Sequence, residues 1–293
     1  MDTSRYRAFI KSVELGSFSR AAKALDYTPS GVSQLIAALE KDLGFSVLER
    51  THQGVQPTQE GSRILPIVRT IIQEENHLQQ LCSEVRGLSI GSVTIGSYPS
   101  VATHWLPRVI KEFHGTFPHI DIRVREGIHQ EVTEWLNSKE VGIGFISYDD
   151  LKPYDWIPLA YDPMIAVLPT DHPLAQADYY PLAQCTDEDF IMPGKGQDID
   201  TLRVLSRHDL EPTIAFETIE TAATLGMIEA GMGITITNSL STEKYDFSVS
   251  KIPIEPSESI LFGIAVPSLE CSAPAVQHFI AHATQALQKD ISL

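Results

Sequence analysis

Two sets of side chains in this sequence combine type and spacing in ways that can do chemistry. The first is compact. Thr28 and Pro29 open a helical pattern that runs to Gly44, in which Val32, Ile36, Leu39 and Leu43 recur at helical spacing as an inward face. Ser30, Gly31, Ser33 and Gln34 are then left on the outward front of that helix. Small hydrogen-bonding side chains at a helix front suit the base edges of a major groove, where bulky or acidic groups would clash with bases or phosphates. The free N–H groups of the first turn add a positive dipole end for a phosphate.

The second set is dispersed, and each member follows an apolar run that reads as a strand. Tyr98 and Ser100 follow "SVTIGS", His129 follows "DIRVREG", Ser147 ends "VGIGFIS", Gly194 to Gln197 follow "DFIM", and Glu220 follows "TIAFET". Ligands of open α/β sheets bind beyond the C-terminal strand ends, where helix N-termini converge. Hydroxyls and backbone donors collected there suit a small polar or anionic molecule; taken singly each fits a helix cap better, and it is their joint placement that points to a cleft. Glu220 adds a carboxylate near the mouth, which an amine-bearing or zwitterionic molecule would fit.

Neither set is a catalytic constellation. The sequence has no GxSxG, HExxH, paired CxxC or Walker-type GK[ST], and "GKGQD" lacks the glycine spacing and the Ser/Thr of a phosphate loop. The expectation is a chain that is not an enzyme, with no cofactor and no metal site. Cys82, Cys185 and Cys271 lie far apart, as expected of buried small residues in a reducing compartment. No N-terminal stretch joins a basic start to an apolar run, and "ILPIVRTII" is too short to span a bilayer, so a cytoplasmic location without membrane association is expected.

The elements that must position these residues fall into three parts. Tyr6, Phe9, Ile10 and Val13 form one helical stripe that Gly16 can end in a left-handed cap. A second helix starts near Ser17 or Ser19 and buries Phe18, Ala21, Ala22 and Leu25. A third begins at Thr28-Pro29, where a first-turn proline costs no hydrogen bond. Short helix, tight polar turn and second helix suit insertion into a groove, but the helical pattern alone is equally served by a three-helix core with a solvated polar face.

Thr58 then caps a long helix to about Arg86, in which Ile64, Val68, Ile71, Glu75, Leu78, Cys82 and Val85 alternate four and three residues apart. Such a seam, broken only by Glu75, is expected to pair with another chain through Ile64, Val68, Ile71, Leu78 and Val85. Pro66 removes one backbone donor and is expected to bend the helix. From Ser92 onward apolar strands alternate with helices, which predicts parallel-type sheets with both faces covered.

Residues 16–61, "GSFSRAAKALDYTPSGVSQLIAALEKDLGFSVLERTHQGVQPTQEG", resemble the winged helix-turn-helix of LysR-type transcriptional regulators, in the order GSF, AA, a proline-started helix, S-x-x-I-x-x-LE, LG, ER and T-x-x-G. The resemblance implies a two-stranded wing over Val47 to Val55, with Arg50, His52 and Gln53 beside the minor groove and backbone. DNA contact is thereby expected at Ser17, Ser19, Thr28 and Pro29, at Ser30, Ser33 and Gln34, and at the wing. Where the family often carries Arg or Lys, this chain has Gln34, Leu35, Ala37, Ala38 and Gln53, so few phosphate cations and a shallow salt dependence are expected. Leu35 is expected to pack on the second helix.

The signatures "SYPSVATHWLP", "VLPTDHPLA" and "IEAGMGIT" resemble the two-lobed effector-binding domain of the same family, which is similar to periplasmic binding proteins. They imply effector contacts at Tyr98, Ser100, His129 and Ser147. The expected fold class is therefore α plus α/β: a winged helix-turn-helix (1–58), a dimerisation linker helix (59–88) and a two-lobed α/β effector-binding domain (89–293). The first lobe is expected over about 92–161 and 267–293, the second over about 162–266. The expected function is an effector-responsive regulator that binds an interrupted palindrome in double-stranded DNA as a dimer or dimer of dimers. The alternative is a small-molecule-binding protein without DNA function. Charge fits a division of labour. Met1 to Leu88 holds ten Lys+Arg and ten Asp+Glu, and the remaining twelve and twenty-eight carry the whole net charge of −16.

Overall fold

The computed structural model describes residues 3–51, 54–86, 89–149 and 153–288. Contacts divide the chain into two compact units, Met1–Gly91 with Asn137–Glu140, and the remainder. The long helix thus belongs with the N-terminal unit.

That unit contains α1 (Thr3–Leu15), α2 (Phe18–Ala24), α3 (Pro29–Leu43), β1 (Leu48–Thr51), β2 (Gly54–Pro57) and α4 (Gln59–Val85). Gly16 leaves α1 in the left-handed region and Gly44 does the same for α3. Ser17 caps α2 by accepting from Arg20 N, and Thr28 caps α3 by accepting from Gly31 N. Phe9, Ala21, Ala22, Val32, Ile36 and Val47 are buried together, and the two alanines let α2 sit close against its neighbours. Leu43, expected inward, is exposed in the last turn of α3.

The wing is an antiparallel ladder from Leu48↔Pro57 to Thr51↔Gly54. Val55 N donates to Gly16 O at 2.9 Å, and a Cβ on Gly54 would stand 2.4 Å from that same carbonyl, so only glycine lets the wing approach the α1–α2 turn. Thr58 caps α4 through Gly61 N while its own hydroxyl donates to Ser46 O at 2.8 Å. The helix continues through Pro66 as one element.

The second unit holds β3 (Gly91–Ser97), α5 (Pro99–His104), α6 (Leu106–Thr116), β4 (Ile120–Glu126), α7 (His129–Asn137), β5 (Ile143–Ser147) and β6 (Asp155–Pro169). There follow β7 (Tyr180–Pro181), β8 (Phe190–Met192), α8 (Ile199–Arg207), β9 (Ile214–Glu217), α9 (Thr221–Glu229) and β10 (Thr235–Asn238). The chain closes with β11 (Val249–Glu255), β12 (Ser259–Val266) and α10 (Pro274–Gln288). The main sheet runs β4-β3-β5-β12-β6-β11-β7, with β10 also on β6, and β8 pairs β9 separately.

The sheet is mixed, not parallel throughout. β3 runs parallel to β5, but β12 is antiparallel to both β5 and β6, and β6 is antiparallel to β10 and β11. Strands buried on both faces are apolar whichever way they run, so their composition carried no direction. β6 spans both lobes, pairing with β12 over Asp155–Pro163 and with β10 and β11 over Met164–Pro169. β12 therefore belongs with the first lobe, whereas the expected boundary at 266 placed it in the second. Among the described residues no helix is long and apolar enough to cross a membrane.

Candidate DNA-reading and effector sites

On α3, burial of Val32, Ile36 and Leu39 turns Ser30 and Gln34 outward and leaves Ser33 half-buried at the edge of the same face. Thr28 Oγ1 lies 3.0 Å from Ser30 Oγ and accepts from Gly31 N at 3.1 Å, so the helix front is held by its own hydroxyls. Leu35 packs against the core, as expected. Ser17, Ser19, Pro29 and Arg50 line one recess between the α2 start and the wing. The Arg50 guanidinium stands 5.2 Å over the ring of Phe18, which lines the same recess, in a cation–π contact. His52 and Gln53 lie outside the described residues.

The long helix carries two apolar stripes where one was expected. Leu65, Val68 and Ile72 are buried in the N-terminal core and Ile64 packs partly against it. Val68 is 4% exposed and spent on its own domain, so Ile64 and Val68 do not belong to an outward seam. Glu75, the apparent break, is bound to α1: it accepts from Thr3 Oγ1 at 2.8 Å and from Arg7 Nη2 at 2.7 Å. Those hydrogen bonds hold its carboxyl below the usual range. The outward stripe is Ile67, Ile71, Leu78, Leu81 and Val85, with Glu74 in the heptad gap; Leu78 is 62% and Val85 89% exposed. Of the residues expected to pair chains, Ile71, Leu78 and Val85 are exposed on this stripe. Cys82 and Cys271 are exposed, and Cys185 alone of the three is buried.

In the second unit, one cavity gathers residues from both lobes. Tyr98, Ser100 and His129 line it from the first lobe, and Gly194, Gln197, Asp198, Asp200 and Thr237 from the second. Five of the expected effector residues are therefore brought together. Ser147 stands just behind, joined to the lining by hydrogen bonds: its hydroxyl donates to Asp200 Oδ1 at 2.6 Å and lies 3.2 Å from Tyr98 Oη. Tyr98 Oη is in turn 2.8 Å from His129 Nδ1. Glu220 is exposed and does not line the cavity, although Ile219 and Thr221 on either side do.

Burial, reinforced by the neighbouring Asp198 carboxylate and opposed by the Ser147 hydrogen bond and Arg203, raises Asp200 to about 7. Burial and then the Arg203 cation lower His129, against the pull of Asp149, which leaves a neutral ring at pH 7. Burial, with Asp200 nearby, pushes the Tyr98 phenol well up. Arg203 bonds Tyr148 O at 2.8 Å and pairs with Asp149 at 2.6 Å and Asp200 at 3.4 Å, so it stands behind the carboxylates. No Lys or Arg lines the cavity among the described residues, so the expected anionic ligand would meet no lining cation. Among the described residues no group of three His, Cys, Asp or Glu side chains is placed to hold a metal ion.

Comparison with known proteins adds what geometry alone does not. Residues 3–62 match the bacterial regulatory helix-turn-helix protein of the lysR family, and residues 86–288 match the LysR substrate binding domain. The chain belongs to the LysR family of transcriptional regulators. It is thus a DNA-binding and effector-binding regulator, not an enzyme. Its relatives include the uncharacterized HTH-type transcriptional regulator YvbU of Bacillus subtilis, 28% identical over 97% of this chain and 98% of the relative. The probable HTH-type transcriptional regulator LrrA of Synechococcus elongatus is 29% identical over 96% and 95% of the two chains. Among solved structures, a full-length OxyR variant from Pseudomonas aeruginosa superposes with TM-score 0.76 at 17% identity, covering 97% of this chain and 94% of that one. Full-length CbnR complexed with its target DNA gives TM-score 0.67 at 19% identity over 98% and 100% of the chains.

Within this LysR-family chain, the site residues that sequence reasoning missed are Asp198, Asp200 and Thr237. A signal for Asp200 was present. It lies four residues before Val204 on the face of α8 that also carries the buried Thr201 and Leu205, and a carboxylate on an apolar face is seldom idle.

Proposed function

We propose that this LysR-family regulator binds an interrupted inverted repeat in double-stranded DNA as a homo-oligomer and responds to a small polar effector held between the lobes of its second unit. Residues 1–58 contact DNA, 59–88 pair chains, and 89–293 sense the effector. The observation that carries the reading is the outward stripe of α4. Leu78, Leu81 and Val85 continue the apolar heptad face of Ile67 and Ile71 beyond the part of the helix that its own core uses, on the same compact unit as the winged helix. Isologous pairing along that face relates two copies of α3 by a two-fold axis, which a two-fold symmetric operator mirrors.

Base contacts are assigned to Ser30, Ser33 and Gln34, and backbone contacts to the recess of Ser17, Ser19, Pro29 and Arg50, with Thr28 holding the helix start. CbnR, alike in fold, was solved on its target DNA, which supports the same use of the N-terminal unit. The test is selection of bound duplexes from a random pool by the full chain, combined with light scattering of the protein alone. An enriched inverted repeat with an unconserved centre, and a dimer or tetramer at micromolar concentration, are expected. A monomer, or enrichment of a single unrepeated site, overturns the reading.

A further inference from the structure

The inter-lobe cavity has a chemical bias that the family assignment does not specify. Asp200 is 4% exposed and lines the cavity, and its Oδ1 accepts from Ser147 Oγ and, more distantly, from Arg203. Its Oδ2 has no hydrogen bond among the described residues. Asp198, which caps α8 through one oxygen to Thr201 N, sets a second carboxylate on the same wall.

Two hydroxyls point independently to a ligand. Ser100 is 9% and Thr237 8% exposed; both line the cavity, and neither side chain has a hydrogen-bond partner among the described residues. Both residues are nine-tenths buried yet their hydroxyls are committed to no protein group among the described residues, so one hydroxyl from each lobe is open to a molecule in the cavity. The amide of Asn238, by contrast, is committed at both ends, donating to Asp162 and accepting from Ser241.

We propose that this cavity takes a small effector that carries an ammonium group and at least one hydroxyl, the ammonium on Asp200 Oδ2 beside Asp198 and the hydroxyl between Ser100 and Thr237. The inference rests on reading the cavity as the effector site. Two carboxylates without a lining cation disfavour a simple carboxylate ligand and favour a cation, whose charge makes the stronger hydrogen bond to an acceptor. The groups facing Asp200 are Asp198 and Arg203 of the α8 region, Asp149 after β5, His129 of α7, and the Tyr98 and Ser147 hydroxyls. Of these, Arg203 is engaged by Asp149 and Tyr148 and does not reach the cavity.

The test is calorimetry of the full chain at pH 8 with three probes of nearly equal size: serinol (an amino diol), glycerol and glycerate. Serinol is expected to bind with a Kd at least tenfold below that of either other probe. Its affinity should fall about tenfold between pH 8 and pH 6 as Asp200 takes up a proton. Asp200→Asn should abolish the preference and the pH dependence, and Thr237→Val, nearly isosteric, should weaken serinol severalfold. Absence of serinol binding, or tighter glycerate binding, overturns the ammonium assignment. If glycerate wins and Thr237→Val weakens it, the cavity stands as the effector site and only the ligand class is wrong. If serinol binds and neither variant alters it, the reading of the cavity as the effector site fails instead.

Discussion

Ser147 Oγ of the first lobe donates to Asp200 Oδ1 of the second at 2.6 Å, beside a 3.2 Å contact to Tyr98 Oη and a 2.8 Å contact from Tyr98 to His129. Burial first, then the nearby Asp198 and Asp149 carboxylates, outweigh the Ser147 hydrogen bond and the Arg203 cation, and so hold the carboxyl near neutrality.

This arrangement dictates how stability depends on pH. Asp200 is raised from 3.8 to about 7, so between those values the folded chain holds a proton that the unfolded chain has released. Stability therefore falls as pH rises through that window, and the full cost is present above pH 7. Asp200→Asn removes the titrating group while keeping the acceptor for Ser147. It should raise the stability of the second unit by about 2–4 kcal/mol at pH 8 and change it little at pH 4. Thermal melts at both pH values decide it, and an equal gain at both would sink the account.

Much of the site was legible because caps and strand ends leave local marks. Thr28-Pro29 and Gly44 bound α3 to the residue, and α7 begins at His129, so the positions of Ser33, Gln34, Ser100 and His129 followed from short-range chemistry. Glu220 went wrong by one residue, because at a strand-to-helix junction adjacent side chains diverge: Ile219 and Thr221 face the cavity and Glu220 the solvent. The direction of β12 and its return to the first lobe depend on long-range pairing with Ile157 and Phe145, which no local pattern records. On α4 the two stripes interleave, and both satisfy a heptad count, so spacing alone could not say that Val68 faces the domain and Ile67 the solvent.

The two stripes of α4 should separate on mutation. Leu78→Glu, on the exposed stripe, should leave the melting of the N-terminal unit unchanged within about 0.5 kcal/mol, because the side chain meets no core. It should weaken self-association by at least tenfold, since pairing there buries a leucine worth about 1.5–3 kcal/mol. Val68→Ala should do the reverse, destabilising the fold by about 1–3 kcal/mol with the oligomer of the folded fraction intact. Sedimentation and chemical denaturation of both variants test the assignment. Oligomer loss in Val68→Ala at full stability would return that residue to the pairing face.

At the cleft rim, Lys195 Nζ reaches from the second lobe to Glu131 Oε1 of the first at 2.9 Å, with both side chains over a third exposed. Exposed pairs contribute about 0–1 kcal/mol in water, so Lys195→Met should leave the midpoint of thermal unfolding nearly unchanged. Glu131 also accepts from Ile128 N at the start of α7. Glu131→Ala should therefore cost more than Lys195→Met, by about 0.5–2 kcal/mol, through the lost cap. Equal losses in the two variants would mean that the rim pair, not the cap, is what Glu131 contributes.

Sequence reading by α3 is the most direct claim the N-terminal unit makes. Val32 and Ile36 are locked in the core, which fixes the rotation of the helix and leaves Gln34 outward with Ser33 at its side. On the proposed reading, replacing Ser33 or Gln34 with Ala would remove a base-edge hydrogen bond without touching that core. Each should cost about 1–3 kcal/mol on the selected operator and nothing on random duplex. Arg50 differs: stacked on Phe18 beside the wing, it presents a cation to the backbone, and phosphate contacts position the protein without specifying sequence. Arg50→Ala should weaken operator and random DNA alike and lower the slope of log affinity against log salt by about one. Filter binding across a salt series distinguishes the two kinds of contact. Uniform weakening by Gln34→Ala, or operator-only weakening by Arg50→Ala, would exchange their roles and place base recognition on the wing.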